Sequence, residues 1–375
     1  MKRLENVSPF IVMDIVREAQ KYNDTVHFEI GEPDLQPPPK VWEYAEKAIR
    51  DRANYYTESL GLKALREKIS QFYYDKYNVE VSPDRIALTV GTSGAFLVAY
   101  SILLDFGETL AFSDPSYPCY KNFSHILNIN PLLIPVDETT NYQLTKEHLK
   151  EFKNIKAVQI SSPNNPTGNI YDKENLKSLV EYCEENNIHL ISDEIYHGLV
   201  YDNEEHTALE FSDNAIVING FSKYFCMPGF RLGWIILPEK FVRKAEIILQ
   251  NVFIAPPTVS QIAAFGAFDY EYLKTITQEY KKRRDYLYNE LKELFTIDAK
   301  PEGAFYIWAN IEKYSNNSYE FTKKILEDIH VAITPGVDFG KNNTDKYIRF
   351  AYTKDIDHLK EGVERLKSYL SNWER

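Results

Sequence analysis

The stretch "RIALTVGTSGAFLVAYSILLD", residues 85 to 105, changes its hydrophobic rhythm part-way along. "RIALTV" is a short continuous apolar run of the kind that forms a buried strand, and "SGAFLVAYSILLD" carries the long apolar face of a helix. The small residues Gly91, Thr92 and Ser93 lie between them. The pattern predicts a strand ending at Val90 and a helix beginning near Ser93. Downstream, "TLAFSD", "KAVQISS", "IHLISD", "AIVING" and "RLGWIIL" read as further short buried strands. They alternate with helical stretches such as "KENLKSLVEYCEENN", in which Leu176, Leu179, Val180 and Cys183 recur at helical spacing. Strand–helix alternation implies crossover connections, hence an α/β fold with a mostly parallel sheet covered by helices on both faces. In such sheets ligands collect beyond the carboxyl ends of the strands.

The last hundred residues read differently. Helical stretches around "EYKKRRDYLYNELKELF" and "HLKEGVERLKSYLSNW" flank isolated strands "AFYIWANI", "VAIT" and "YIRFAYT". That pattern suits a smaller α+β domain. The expected division is a large domain over residues 41–269 and a small one built from residues 1–40 and 270–375. In "SPFIVMDIVREAQKY", Ser8 is the expected helix cap, with Pro9 in the first turn.

A formal net charge of −12, with acidic and basic residues intermixed, argues against general nucleic-acid binding, which needs a basic face. No eighteen apolar residues run together, so no membrane span is expected. The first thirty residues hold no apolar run of signal-peptide type. Three widely spaced cysteines read as reduced thiols, and the expected compartment is cytoplasmic.

Four stretches place polar groups at strand ends. In "TVGTSGAF" the amides at a helix start suit a phosphate, although a tight turn needing glycine is the blander reading. "SSPNNPTGNI" is turn chemistry that either only reverses the chain or aims the Asn165 amide into the crevice. In "ISDEIYHGLVY", Asp193 closes a buried strand and Tyr196 follows three residues on. Asp193, Glu194 and His197 lie close together there, but no second histidine stands at ligand spacing and no HExxH or paired CxxC occurs, so no metal is expected. In "NGFSKYFCMPGFRLGW", residues 219 to 234, Lys223 sits among aromatics and glycine with Arg231 eight residues on. Desolvation disfavours a charged amine, which makes such a lysine a candidate nucleophile. Singly, each stretch has a structural explanation; four converging on one sheet edge favour a site.

Together "GEPD", "SPNNPTG", "SDEIY", "FSKYFCMPGFRLGW" and "YIRFAY" resemble the class I/II aminotransferases, pyridoxal-phosphate (PLP) enzymes of fold type I. The motifs occur in that family's order from Gly31 to Tyr352, nearly the whole chain. The resemblance implies a seven-stranded-type sheet in the large domain and PLP as cofactor. It makes Lys223 the amine joined covalently to the cofactor aldehyde, and afterwards the base that moves the substrate α-proton. Asp193 matches the carboxylate that pairs with the pyridine nitrogen. Asn165 and Tyr196 match the groups on the ring's phenolic oxygen, and Tyr117 the aromatic against the ring face. Thr92, Ser93, Ser222 and Arg231 would hold the phosphate. Arg349 would grip the substrate α-carboxylate beside the Gly31 backbone. Tyr56, with Tyr55 as its neighbour, matches a tyrosine that reaches the other subunit's phosphate, which implies a homodimer with shared active sites. Pro228 and Gly220 depart from the family, standing where many relatives carry hydroxyl residues.

The implied reaction moves an amino group from an L-amino acid to a 2-oxo acid such as 2-oxoglutarate. No arginine occurs between Arg243 and Arg283, and "SPFIVMDI" is apolar, so neutral or aromatic donors are expected over aspartate. A carbon–sulfur β-lyase would use the same lysine, aspartate and arginine. A non-catalytic PLP-sensing module is the remote alternative and would need a helix-turn-helix segment ahead of Gly31.

Overall fold

The computed structural model describes residues 2–373. Twelve strands occur among them: β1 (Val26–His27), β2 (Ile86–Val90), β3 (Thr109–Asp114), β4 (Asn130–Pro135), β5 (Ile155–Ser161), β6 (His189–Asp193), β7 (Ile216–Gly220), β8 (Leu232–Ile236), β9 (Tyr306–Asn310), β10 (Val331–Ala332), β11 (Thr334–Pro335) and β12 (Tyr347–Ala351). Seven of them form the main sheet in the order β2-β8-β7-β6-β5-β3-β4. Only β8 runs antiparallel to its neighbours, β2 and β7. The carboxyl ends of β2, β3, β5, β6 and β7 therefore share one edge with the amino end of β8. That arrangement brings Arg231, which precedes β8, to the edge where Lys223 follows β7.

Helices cover both faces, as the strand–helix alternation predicts. On one face Gly91–Leu103 and Glu239–Val252 bury Ala95, Phe96, Ala99, Ala245 and Leu249 against the sheet. The opposite face contributes Leu88, Val158, Val217 and Trp234 to the larger core. β11, β12 and β9 make a separate antiparallel sheet, and β1 pairs in parallel with β10. Helices Tyr270–Leu291, Ser318–Ile329 and Ile356–Leu370 accompany these shorter strands.

Three local readings are corrected. The helix after β2 begins at Gly91, two residues before the expected start, because Gly91 takes a left-handed φ of 63° that turns the chain at once. Ser8 is not a helix cap: the N-terminal helix is Ile11–Ala19 and its first amides, those of Ile11 and Val12, donate to Asp338. Ser8 instead bonds to Asn122 through both its amide and its hydroxyl, at 3.1 and 3.3 Å. The third is β4, an edge strand absent from the sequence reading, which begins and ends in an Asn-Pro and an Ile-Pro step. Proline is tolerated there because an edge strand has one unpaired side.

Gly233 sits where β8 passes under the Gly91 helix. A methyl group on it would lie 2.8 Å from the Gly91 carbonyl carbon and 3.0 Å from the Thr92 nitrogen. Gly233→Ala is therefore expected to push the helix start off the sheet and destabilise the fold by about 1–3 kcal/mol, the usual cost of overpacking. Urea unfolding measures it, and an unchanged midpoint would contradict this packing.

Candidate active site

A cavity of about 270 Å³ opens at the shared strand edge. Gly31, Thr92, Tyr117, Asn165, Asp193, Tyr196, Lys223 and Arg349 all line it, which gathers eight of the residues singled out in the sequence. Ser93, Ser222, Arg231 and Tyr56 do not line it.

Lys223 reaches in from the loop after β7. Its Nζ donates to the Gly31 carbonyl at 2.5 Å and lies 5.8 and 5.6 Å from the rings of Tyr196 and Phe305. Burial, then the positive charge of Arg349, depresses its pKa to about 8. Asp193, at the end of β6, is buried; one carboxylate oxygen accepts from the Tyr120 hydroxyl at 2.5 Å and the other from the Ile195 amide at 3.2 Å. Burial outweighs these donors and raises its pKa to about 6. Glu194 next to it turns away from the cavity, accepting from Ser192, Thr207 and the Ala208 amide, so the two acids of "SDEIY" serve different places. Among the described residues no cluster of three metal-ligating side chains occurs.

Arg349 lies mid-strand in β12 and is buried. Its Nη1 donates to Asn165 Oδ1 at 3.0 Å and its Nη2 to the Glu29 carbonyl at 2.5 Å. The guanidinium carbon stands 4.3 Å from the centre of the Tyr306 ring and 4.9 Å from that of Phe339. Buried Nε makes no hydrogen bond within the described residues. The alternation along β12 thus sends Arg349 into the cavity while Ile348 and Phe350 join the core.

Beside the cavity, the start of the Gly91–Leu103 helix meets Arg231, and the Gly91 amide donates to the Arg231 carbonyl at 3.0 Å. The Arg231 Nη2 lies only 2.7 Å from where a Gly91 side chain would begin, so glycine is what admits the guanidinium. Its Nη1 donates to the Pro228 carbonyl at 3.0 Å. A cation at the positive end of a helix is unfavourable by itself, and an anion between them resolves the conflict. Ser93 and Arg231 are exposed and Thr92 half-buried, so this anion notch is open on the cavity's flank.

Tyr56 is 75% exposed and Tyr55 59%. Neither touches the cavity of its own chain. The outer wall consists of Phe10, Val12, Met13 and Val16 from the N-terminal helix region, which makes that wall apolar. Sequence reasoning missed Tyr120, Tyr306, Phe96 and Glu29, all cavity-lining. Their signals were aromatic residues in apolar runs, indistinguishable there from core, and an acid two residues ahead of "GEPD".

An amine of lowered pKa, a buried carboxylate and a buried guanidinium on one cavity, at the strand ends of a doubly covered sheet, are the equipment of an enzyme that handles amino acids. Residues 23–366 match the family model for aminotransferase class I and II, and the chain belongs to that family. It is 37% identical to the (5-formylfuran-3-yl)methyl phosphate transaminase of Methanocaldococcus jannaschii, over 99% of both chains. It is 35% identical to the valine–pyruvate aminotransferase of Mycobacterium tuberculosis, over 97% of each. An aminotransferase crystal structure from M. tuberculosis superposes with a TM-score of 0.95 at 34% identity, covering 98% of each chain. The fold is that of the fold type I aminotransferases, and the protein is an enzyme with transaminase activity.

The lowered pKa of Lys223 carries a sign. Unfolded, its amine keeps a proton up to about 10.5, whereas folded it releases it near 8. Between those values the unfolded chain binds more protons, so stability rises with pH. Lys223→Met is accordingly expected to stabilise the cofactor-free chain below pH 8, with the advantage shrinking toward pH 10.5. Urea midpoints of both proteins across that range test this, and a pH-independent difference would refute it.

Proposed function

We propose that this aminotransferase is PLP-dependent, with Lys223 as its covalent anchor and neutral or aromatic L-amino acids as preferred donors. The observation that carries the reading is the joint placement of Lys223, Asp193 and Arg349 on one cavity, with Arg349 Nε left without a partner. The residues fit the cofactor. The Arg231–helix notch suits a phosphate, the Asp193 carboxylate suits a pyridinium, and the distance from one to the other is spanned by an aromatic-walled slot containing Tyr117 and Tyr196.

When bound, PLP supplies an aldehyde and a ring that stabilises negative charge at the substrate α-carbon. The chain's own residues do the rest. Thr92, Ser93, Ser222 and Arg231 hold the phosphate. Asp193 keeps a proton on the ring nitrogen, where a buried carboxylate has no competing water. Tyr196 and Asn165 bind the phenolic oxygen. Arg349 fixes the substrate carboxylate beside the Gly31 backbone, and its planar fork sets the orientation of the α-carbon. Lys223 Nζ, in its neutral form, would take the substrate α-proton and deliver it to the cofactor carbon two bonds away. Burial, which lowers its pKa to about 8, enlarges that neutral share at neutral pH.

The domain division at residues 40/41 and 269/270 assigns Gly31 and Arg349 to one body and Lys223 and Asp193 to the other, so the site lies between them. Tyr56 belongs to the partner's phosphate notch in a homodimer. Support comes from its exposure on its own chain, in a segment held by the Thr258 hydroxyl on the Tyr55 carbonyl. The apolar wall of Phe10, Val12, Met13 and Val16 contains no group to receive a second carboxylate, which supports the donor preference. The M. tuberculosis relative named for valine and pyruvate points the same way.

In a donor-by-acceptor screen with added PLP, turnover with alanine, methionine or phenylalanine is expected to exceed that with aspartate. Faster turnover with aspartate would overturn the preference. Lys223→Ala is expected to retain PLP without a borohydride-stable link and to lose at least about a thousandfold in kcat, the scale of a missing acid–base group and nucleophile. Sedimentation should show a dimer, and Tyr56→Phe should weaken PLP retention without changing that dimer.

A further inference from the structure

Tyr306 is buried in the middle of the site and has no role so far. Its hydroxyl lies 2.8 Å from the Tyr196 hydroxyl, and its ring lies under the Arg349 guanidinium with 4.3 Å from cation to ring centre. One residue thus touches the phenol assigned to the cofactor and the cation assigned to the substrate. Its position is closely fixed. A side chain on Gly31 would begin 1.9 Å from the Tyr306 hydroxyl, so the glycine leaves that hydroxyl its space. The rings of Tyr196 and Phe305 meet Tyr306 edge-on, at 5.6 and 5.1 Å between centres.

We propose that Tyr306 is a positioning residue with two separable actions: its hydroxyl donates to Tyr196 and strengthens Tyr196 as a donor to the cofactor, and its ring holds Arg349 in the plane that receives the substrate carboxylate. The inference rests on the PLP reading above. The direction of the phenol–phenol bond follows from charge. Arg349 lies over the Tyr306 ring, 4.3 Å from its centre, and makes its phenol the readier donor. A hydroxyl that accepts one hydrogen bond donates the next more strongly, by roughly 10–30%. The ring's action is a cation–π contact in a desolvated place, one of the stronger settings for that interaction. The Tyr306 and Phe339 rings pack on the guanidinium at 4.3 and 4.9 Å, and its buried Nε makes no hydrogen bond among the described residues.

The two actions come apart in two variants. Tyr306→Phe keeps the ring and deletes the hydroxyl. Tyr306→Leu deletes both. The first readout is the pH titration of the visible absorbance of enzyme loaded with PLP. A weaker Tyr196 donor leaves the phenolic oxygen less stabilised as an anion, so it retains its shared proton to higher pH. The midpoint is expected to rise by about 0.2–0.6 of a pH unit in both variants, which is the cooperative fraction of one charge-assisted hydrogen bond. The second readout is the Kd of 3-phenylpropionate, a carboxylate with no amino group to react, measured by its perturbation of that absorbance. It is expected to stay within about twofold of the wild type in Tyr306→Phe and to weaken about fivefold or more in Tyr306→Leu, in line with a lost cation–π contact. A Tyr306→Phe enzyme with the wild-type midpoint overturns the action of the hydroxyl. A Tyr306→Leu enzyme with the wild-type Kd, or a Tyr306→Phe enzyme as weak as Tyr306→Leu, overturns the action of the ring. A loose, merely structural role would instead lower thermal stability and leave the midpoint in place, which also counts against the proposal. If wild-type protein gains no visible absorbance from PLP, the functional reading itself fails and this inference falls with it; a titrating wild type confines any failure to Tyr306.

Discussion

Two cations share one cavity of about 270 Å³, and the rest of the site is arranged around that conflict. Lys223 and Arg349 repel each other, and burial penalises both. Arginine cannot relieve the strain by losing its proton, because its pKa is too high. Lysine can. The protein therefore fixes Arg349 with the Glu29 carbonyl, the Asn165 side chain and two aromatic faces, all neutral groups. It gives the Lys223 amine only a carbonyl, that of Gly31, and no carboxylate in direct contact. An ion pair would hold the amine charged, whereas a carbonyl accepts from either form. Of the buried acids that line the cavity, Asp193 is engaged by Tyr120 and Ile195 instead, and Glu29 by His27.

The chain topology makes this arrangement possible. With β8 reversed between β2 and β7, a chain segment leaving β7 loops across the sheet edge and returns immediately into β8. Lys223 and Arg231 lie on that single loop, which explains their short separation in sequence. The loop can stay short because β7 and β8 are antiparallel neighbours, for which no crossover helix is needed. Thr92, Asn165 and Asp193 arrive at the ends of the parallel strands, whereas Arg349 and Tyr306 come from the separate antiparallel sheet.

What was legible in the sequence follows from these distances along the chain. Lys223, Arg231, Asp193 and Asn165 each sit in a local motif whose turn chemistry or small residues betray a strand end, and the strand–helix rhythm around Gly91 exposed the sheet. Tyr120 and Tyr306 have no such signature. Tyr120 lies in a helix and Tyr306 opens a strand among aromatics, so their apolar bodies read as core, and only the fold reveals which hydroxyls meet Asp193 and Tyr196. The cap of the N-terminal helix failed for a related reason. Ser8 offered a local oxygen, but Asp338 supplies two from more than three hundred residues away, and a carboxylate satisfies two amides at a positive helix end better than one hydroxyl. β4 escaped notice because its prolines contradict the strand pattern everywhere except at a sheet edge.

Asp338 also shows why the apolar wall and the Arg349 guanidinium cannot vary independently. The segment after β11 places Asp338 under the helix that carries Val12 and Met13, and the next residue, Phe339, packs on the Arg349 guanidinium. Two residues further along, the amides of Lys341 and Asn342 bind the Asp114 carboxylate at the end of β3, and the Phe339 carbonyl accepts from the Ser116 amide. A single short stretch thus touches the apolar wall, the Arg349 guanidinium, and the main sheet that carries the lysine. Burial raises the pKa of both Asp338 and Asp114 while their backbone donors lower it, so a displacement of the stretch removes the donors of both acids at once. Substituting wall residues alone leaves this coupling intact, whereas substitutions between Gly336 and Asn342 alter the wall and the Arg349 contacts together.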